Sequence, residues 1–386
     1  MHRAAITLLT LLSLTAAVPL RGAPLTLAQR RADPALRRLH RAADLTADRR
    51  LPDLGHDGEP LRLVDGAPEE PVLAPGRLPG TQSLRLDTAR LVAAPLDLSK
   101  RQFTAQAWVR LLGPGHHRGN GGATNATLLS IGIGYWDGWR LTTPFPGPGL
   151  TFELGRPRGI NAFGLSDNRG PAAGLWQHIA LSWDGRLMRL YLNGQLLRQA
   201  PYDGAYTTPG PDARLVVGYA GHGIGSAIMD IDEVAIHSRA LEPAEIVAQM
   251  LLEQLPDAES QTDLNGLLTA AATPGGDPSP ALGRLLARPL APVVRAWLRL
   301  LAADLLPARH PLPLDLDGQP ELPEFLREML SSAVLRRLET HPGGDYPDDL
   351  LQRLLARDGL PSHARMAILR HTILARLREG QPDAAQ

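Results

Sequence analysis

The stretch Leu175–Ala200 reads LWQHIALSWDGRLMRLYLNGQLLRQA and contains two turn dipeptides, Asp184-Gly185 and Asn193-Gly194. Both dipeptides tolerate the positive φ angles that two-residue hairpin turns require. The runs that flank them are apolar or alternate with polar residues, which is typical of strands. The sequence therefore predicts three consecutive antiparallel strands over 178–183, 187–192 and 195–199, and a β class for the middle of the chain.

Similar short runs recur on both sides of this meander, separated by clusters of Gly, Pro and Asn. We predict strands over 83–86, 103–111, 127–133, 150–154, 214–218 and 227–237. No helical periodicity lies between them. Many short strands joined by turns favour a sandwich or a barrel.

The periodicity changes after Leu241. Pro243 suits the first turn of a helix and Glu245 suits its N-terminal end. Further along, Leu-rich segments have helical spacing and begin at residues that suit a helix start. These segments are 281–306, 323–338, 347–357 and 362–378. The C-terminal part is therefore predicted to be a smaller all-α domain.

The N-terminus has the build of a secretory signal peptide. His2 and Arg3 precede an apolar core from Ala4 to Val18, and small residues follow up to Ala23. An uncleaved anchor is the alternative. The 386 residues include no cysteine, which excludes disulfides, a lipid-bearing cysteine and thiolate chemistry. The 40 basic and 40 acidic side chains balance, so no overall field favours nucleic acid or a membrane surface.

Several ordered motifs resemble the laminin-G-like jellyroll domain of the concanavalin A-like lectin/glucanase superfamily. They are FTAQAWV at 103–109, WQHIALSWDG at 176–185, LYLNG at 190–194 and IDEVAI at 231–236. The resemblance extends from near Asp53 to Gln249 and implies a jellyroll β-sandwich. The family commonly has Ser or Thr before the Glu of the closing helix, whereas this chain has Glu242-Pro243-Ala244-Glu245.

The resulting organisation has five parts. They are a signal peptide at 1–23, a linker or short helix at 24–52, the jellyroll sandwich at 53–250, a linker at 251–280 and a helical domain at 281–386. Export and the absence of cysteine together indicate a secreted or periplasmic protein of a bacterial envelope, with no membrane span once the signal is cleaved.

Hydrolases of the superfamily carry acidic residues at positions i, i+2 and i+4 of one strand, where alternation directs them into one cleft. Asp230 and Asp232 occupy two of these positions, but Val234 occupies the third. Glu233 is predicted to point to the opposite face. The incomplete set argues against a glycoside hydrolase and favours a structural role for these acids. No His-Glu-x-x-His or other metal-hydrolase pattern is present.

A second hypothesis for the acidic residues is that they bind calcium. The first and last strands of a jellyroll commonly lie side by side, so the turn from Asp53 to Asp57 is expected near Asp232. Ca²⁺ binds carboxylate and carbonyl oxygens, which such turns supply. The resemblance implies a structural Ca²⁺ in some members of the family. The alternative is that these aspartates only stabilise turns.

Tyr135, Trp136, Trp139 and Arg140 are the candidate ligand-binding residues, because they cluster around the Asp137-Gly138 turn. Aromatic rings near loops stack on sugar rings, and Arg hydrogen-bonds hydroxyl groups. The alternative is hairpin packing with at least one of the two tryptophans in the core. Trp108, Trp176 and Trp183 lie in regular strands and are predicted to pack in the core or across the sheet.

These observations favour a non-catalytic binding module that recognises a glycan or an extracellular or envelope protein through its loops or its concave face. The competing class is an envelope scaffold that binds proteins and no sugar. A glycoside hydrolase is the third and weakest class. A fold of this kind hosts all three, so the fold alone does not choose among them.

Overall fold

The computed structural model describes residues 33–378 with gaps, and the described residues fall into two compact units divided between Ala258 and Glu259. The residues left out between those ends are 49, 65–71, 78–80, 88, 97–101, 115–124, 133–136, 145–148, 157–162, 169, 203, 205, 211–212, 219–224, 253, 256, 274, 307–329, 331–333, 336–337, 339–345, 347 and 357–361. The predicted signal peptide also lies outside the described residues.

The first unit is a sandwich of two antiparallel sheets. Its strands are β1 (Leu36–His40), β2 (Arg50–Leu51), β3 (Leu61–Val64), β4 (Val72–Pro75), β5 (Gln82–Leu86), β6 (Arg90–Pro95), β7 (Phe103–Pro114), β8 (Asn125–Ile131), β9 (Trp139–Pro144), β10 (Leu150–Leu154), β11 (Phe163–Asp167), β12 (Gln177–Trp183), β13 (Leu187–Leu192), β14 (Gln195–Pro201), β15 (Arg214–Val217) and β16 (Ala227–His237). Sheet A has the order β14-β13-β12-β7-β16-β5-β4, with β1 also paired to β16. Sheet B has the order β11-β10-β9-β8-β15-β6-β3-β2.

The predicted meander is confirmed as β12, β13 and β14. Asn193 and Gly194 have φ angles of 54° and 75°, as the turn between β13 and β14 requires. The Asn193 side chain also accepts a hydrogen bond from the His178 N–H at 2.9 Å. A Cβ atom added to Gly194 would lie 2.8 Å from Val247 Cγ2, so this turn also needs glycine to admit the helix that follows the sandwich.

The core lies between the two sheets and is centred on aromatic side chains from both. The Phe103 ring stacks on Trp139 at 5.3 Å between centroids and meets Phe152 and Trp183 edge-on, each at 6.1 Å. All four side chains are fully buried. Phe103 and Trp183 come from sheet A and Trp139 and Phe152 from sheet B, so this cluster joins the two layers.

The N-terminal boundary of the sandwich differs from the prediction. The segment 24–52 is predicted to be a linker or short helix, but it contains β1, a 3-10 turn at Ala42–Asp44 and β2. β1 pairs with β16, and its Leu36 and Leu39 pack against Ala235. The prediction is wrong here because Leu and Arg alternate too loosely in this stretch for local periodicity to reveal a strand.

Helix α1 (Pro243–Leu252) closes the first unit, and the second unit contains five helices whose bounds the described residues define. They are α2 (Ala258–Ala272), α3 (Ser279–Ala287), α4 (Pro292–Leu305), α5 (Asp348–Leu355) and α6 (Ser362–Arg378). The linker predicted at 251–280 is therefore wrong over α2, whose Asp263 pairs with Arg284 and Arg288. In the described part of the chain, none of the helices is both long and apolar enough to cross a bilayer.

Candidate functional site

The outer face of sheet A, which is the face turned away from the core, carries polar and aromatic side chains from several adjacent strands. On β7 the residues at 103, 105, 107 and 109 enter the core, so Thr104, Gln106, Trp108 and Arg110 lie on the outer face. Trp108 is paired across the sheet with His178 on β12 and with Asp232 on β16. Strand alternation therefore collects aromatic and charged residues from three adjacent strands on one surface.

Helix α1 covers one part of this face. Leu241 and Ile246 pack against Ala180 and Tyr191. Burial raises the pKa of Tyr191 to about 12, because ionisation of its phenol would require a charge beneath the helix. Gln249 accepts a hydrogen bond from the Gln106 side chain. Trp108 and Arg110 lie two and four residues further along β7, beyond this contact.

Three charged side chains form a row across β5, β16 and β7, which we call the Arg–Asp–Arg row: Arg85, Asp230 and Arg110. The sheet register places Asp230 opposite both arginines. Arg85 Nε and Nη2 donate to the two carboxylate oxygens of Asp230 at 2.8 and 3.1 Å, and Arg110 Nε donates at 2.8 Å. Asp230 is fully buried, whereas the side chains of Arg85 and Arg110 are 37% and 21% exposed.

A second charged group, formed by Arg77, Asp232 and Glu233, lies beside this row. Glu233 has a φ angle of 53°, and a β-bulge interrupts the pairing of β16 with β7 at this point. Arg77 Nη2 donates to Glu233 Oε2 at 2.7 Å, and Arg77 Nε lies 3.5 Å from Asp232 Oδ2. The prediction that Glu233 points to the opposite face from Asp232 is wrong, because the bulge turns both acids towards Arg77.

The side chains of this second group are enclosed, since Arg77, Asp232 and Glu233 are only 4%, 11% and 4% exposed. Burial raises the pKa of Asp232; Arg77 acts in the opposite direction, and the nearby Glu233 adds to the rise. The Arg77 guanidinium also lies 4.9 Å from the centre of the Trp108 ring. The Arg–Asp–Arg row is thus the more exposed of the two charged groups, and the acidic pair beside it is enclosed.

Trp176 completes the exposed part of the outer face. It precedes β12 and is half-buried, with the Arg110 guanidinium 5.2 Å from the centre of its ring. The indole nitrogens of Trp176 and Trp108 are both buried, and neither has a hydrogen-bond acceptor among the described residues. Both tryptophans are predicted from the sequence to pack in the core or across the sheet. The prediction is confirmed for Trp108, which is buried. It does not include the position of Trp176 beside the partly exposed Arg110.

The predicted aromatic site around Asp137-Gly138 is not assembled by the described residues. Tyr135 and Trp136 lie outside them, so their role stays a prediction. Trp139 is fully buried in the core cluster, and Arg140 is buried and paired with Glu153. Trp139 thus takes the core position that the alternative interpretation assigned to one tryptophan, and it presents no surface to a ligand.

The predicted calcium ligand Asp57 is held by two arginines. A bulge in the pairing of β1 with β16 brings the consecutive residues Arg37 and Arg38 to the same carboxylate. Their Nε atoms donate to Asp57 at 2.7 and 3.0 Å, and Arg38 Nη1 donates to the Glu59 carbonyl at 3.1 Å. We call this group, Arg37, Arg38 and Asp57, the N-terminal clasp. Guanidinium groups occupy the carboxylate that was predicted to bind the metal.

The other two predicted ligands are also held by donors. Asp53 Oδ1 accepts the N–H groups of Leu39 and Gly55 at 2.9 and 2.8 Å, and Asp232 Oδ1 accepts the N–H of Ala42 at 3.1 Å. Among the described residues, no group of three or more His, Asp or Glu side chains is arranged to hold a metal ion. Asp53 Oδ2 has no hydrogen-bond partner among the described residues and lies 3.8 Å from Arg38 Nε, so this set offers fewer free oxygen atoms than the several that Ca²⁺ needs.

Calcium is therefore expected to leave the stability of the protein unchanged. A metal ion that bound only the folded protein would raise the free energy of unfolding by about 2.7 kcal/mol at a metal concentration one hundred times Kd. We expect the same melting temperature in calcium and in EDTA, measured by thermal denaturation of the full chain with magnesium as the matched control. A rise in melting temperature with calcium but not with magnesium would contradict the assignment of these aspartates to arginine and backbone donors.

The acidic residues of β16 do not provide a pair of free carboxylates for glycoside hydrolysis. A hydrolase needs one carboxylic acid and one carboxylate on either side of the scissile bond. Both oxygens of Asp230 are occupied by guanidinium groups, and Asp232 and Glu233 share Arg77. Val234 is buried in the core. The acidic residues of β16 are thus arranged as ion pairs.

Two stacked antiparallel sheets, closed by a short helix on the outer face of one of them, define a jellyroll sandwich of the concanavalin A type. Residues 85–247 match the family model described as the concanavalin A-like lectin/glucanases superfamily. The resemblance to laminin-G-like jellyroll domains is thereby confirmed. Comparison with curated proteins finds no match.

Solved structures of similar fold include the binding domain of botulinum neurotoxin DC in complex with SialylT, with a TM-score of 0.42 and 11% identity over 57% of this chain and 51% of that chain. The same domain in complex with rat synaptotagmin II has a TM-score of 0.41 and 12% identity over 57% and 51% of the two chains. The chain thus spans about half the length of these structures.

Proposed function

We propose that this protein is exported to the bacterial envelope or the medium, and that its sandwich is a non-catalytic module that binds a carbohydrate on the outer face of sheet A. The observation that supports this most is the position of Trp176 beside Arg110, which shares the buried Asp230 with Arg85. A partly exposed indole offers a flat apolar surface to a sugar ring, and the guanidinium groups offer hydrogen-bond donors to its oxygen atoms.

The buried carboxylate of Asp230 holds both guanidinium groups in place, which favours binding because little side-chain entropy is then lost when a ligand arrives. The same ion pairs argue against hydrolysis, since they occupy the acids that the reaction would need. Tyr135 and Trp136 remain candidates for a second contact. The sequence places these two aromatic residues beside a predicted turn at Asp137-Gly138.

A glycan array probed with the full chain tests this function. We expect binding to a subset of glycans. Trp176→Ala should weaken it by about tenfold or more, equivalent to roughly 1.4 kcal/mol, without a loss of melting temperature that would indicate unfolding. Arg198→Ala is the matched control, because Arg198 is exposed on β14 at the far edge of sheet A.

Three results would contradict the proposal. An array without any bound glycan would favour the competing function, an envelope scaffold that binds proteins. Release of reducing ends from a polysaccharide that disappears in Asp232→Asn would show that the module is a hydrolase. Binding that is retained in Trp176→Ala but lost in Trp136→Ala would place the carbohydrate at the loop around Asp137-Gly138 instead.

A further inference from the structure

The Arg–Asp–Arg row has an excess of positive charge at the part of the surface that solvent reaches. One buried carboxylate, Asp230, faces two guanidinium groups, so the row carries one net positive charge. In the described part of the chain, the Nη1 atoms of Arg85 and Arg110 make no hydrogen bond. These two donors are therefore available to a ligand.

The neighbouring groups on this face add donors. The indole N–H groups of Trp176 and Trp108 are buried and have no acceptor among the described residues. A buried donor without an acceptor costs free energy, so an acceptor that reached these N–H groups would be bound more tightly. The acidic side chains of the face are already occupied, Asp230 by the row and Asp232 with Glu233 by Arg77.

The two ends of the face differ in access to solvent. The acidic pair Asp232 and Glu233 is enclosed with Arg77, whereas Arg85 and Arg110 are the most exposed of these charged side chains. Burial also raises the pKa of Asp232, which makes its negative charge less favourable. An approaching ligand thus meets donors and positive charge first.

We propose that the Arg–Asp–Arg row binds the carboxylate or sulfate group of an acidic sugar residue, whose ring lies against Trp176. This inference rests on the proposed carbohydrate-binding function and specifies the chemical class of the ligand. Guanidinium groups recognise such anions by paired, charge-assisted hydrogen bonds. An acidic sugar supplies both the anion for Arg85 and Arg110 and the ring for Trp176 within a single residue.

An acidic peptide is a poorer fit to this surface. Protein interfaces are usually built around a buried apolar centre. Within the described part of the sandwich, only Leu73 and Leu112 are large hydrophobic side chains with extensive exposure, at 44% and 37%. Leu73 lies on the edge strand β4 and Leu112 lies on β7, with β5 and β16 between these strands, so the two side chains do not form one continuous apolar centre on the outer face.

Isothermal titration of the full chain with four polymers tests the ligand class. The probes are polygalacturonate, dextran sulfate, uncharged dextran and poly-glutamate. We expect binding to the two acidic polysaccharides, in a form that weakens as salt is raised, and little binding to dextran or poly-glutamate. Arg85→Gln and Arg110→Gln should each weaken the binding by about tenfold or more, since each removes one guanidinium donor. Arg198→Gln should leave it unchanged.

Single variants keep the test interpretable, because each leaves one guanidinium group on the buried Asp230. Their melting temperatures, measured beside the titrations, confirm that the fold is kept. If the protein binds dextran and neither Arg85→Gln nor Arg110→Gln changes that binding, the acidic-sugar inference is overturned but carbohydrate binding is not. Binding to none of the polysaccharides, or equal binding to poly-glutamate, would also overturn the acidic-sugar inference, and only an empty glycan array would overturn the carbohydrate-binding function itself.

Discussion

Arg38→Ala is expected to lower the free energy of unfolding of the sandwich by about 3–5 kcal/mol, the cost of removing one partner of a buried ion pair. The Arg38 side chain is only 1% exposed and contacts both Asp57 and the Glu59 carbonyl. Without the Arg38 guanidinium, the nearly buried Asp57 carboxylate and the Glu59 carbonyl each lose a charged hydrogen-bond donor. For a sandwich of this size the loss corresponds to a drop in melting temperature of about 6–20 °C.

Arg37→Ala is the matched control for this prediction. Arg37 donates to the same carboxylate, but its side chain is 32% exposed, so its loss should cost about 1 kcal/mol or less. Chemical denaturation followed by circular dichroism measures both variants. Equal effects of the two substitutions would mean that the N-terminal clasp does not depend on the buried guanidinium.

The clasp also shows why the first strand was not predictable from local sequence. The strand β1 reads LRRLH, and a fully buried arginine in it is tolerated only because Asp57 lies nineteen residues further along the chain. Local periodicity carries no information about such a distant partner. The central meander was predictable for the opposite reason, because Asp-Gly and Asn-Gly specify their turns from within the segment.

The candidate site was predictable in part. Alternation along β12 places Ile179, Leu181 and Trp183 in the core, and therefore places Trp176 and His178 on the outer face. That signal was present in the sequence, and counting back from Trp183 would have found Trp176. The orientation of Glu233 was not predictable, because it depends on a bulge with a positive φ at a residue that is not glycine.

Trp139→Ala is expected to lower the free energy of unfolding by about 3–5 kcal/mol, the range for truncating a large aromatic side chain in a core. The Trp139 ring is fully buried and stacks on Phe103, so its loss opens a cavity between the two sheets. Thermal denaturation should show a lower melting temperature, and Trp139→Phe should recover a large part of the difference because it keeps a ring against Phe103.

Trp176→Ala is the control that separates a packing role from a binding role. Trp176 is half-buried at the surface, so its truncation should change stability less than that of Trp139 while it weakens carbohydrate binding more. Trp139→Ala at a temperature where the protein is still folded should keep its affinity, because the ring has no exposed surface. Lost affinity with an unchanged melting temperature in Trp139→Ala would instead return this tryptophan to the predicted site beside Tyr135 and Trp136.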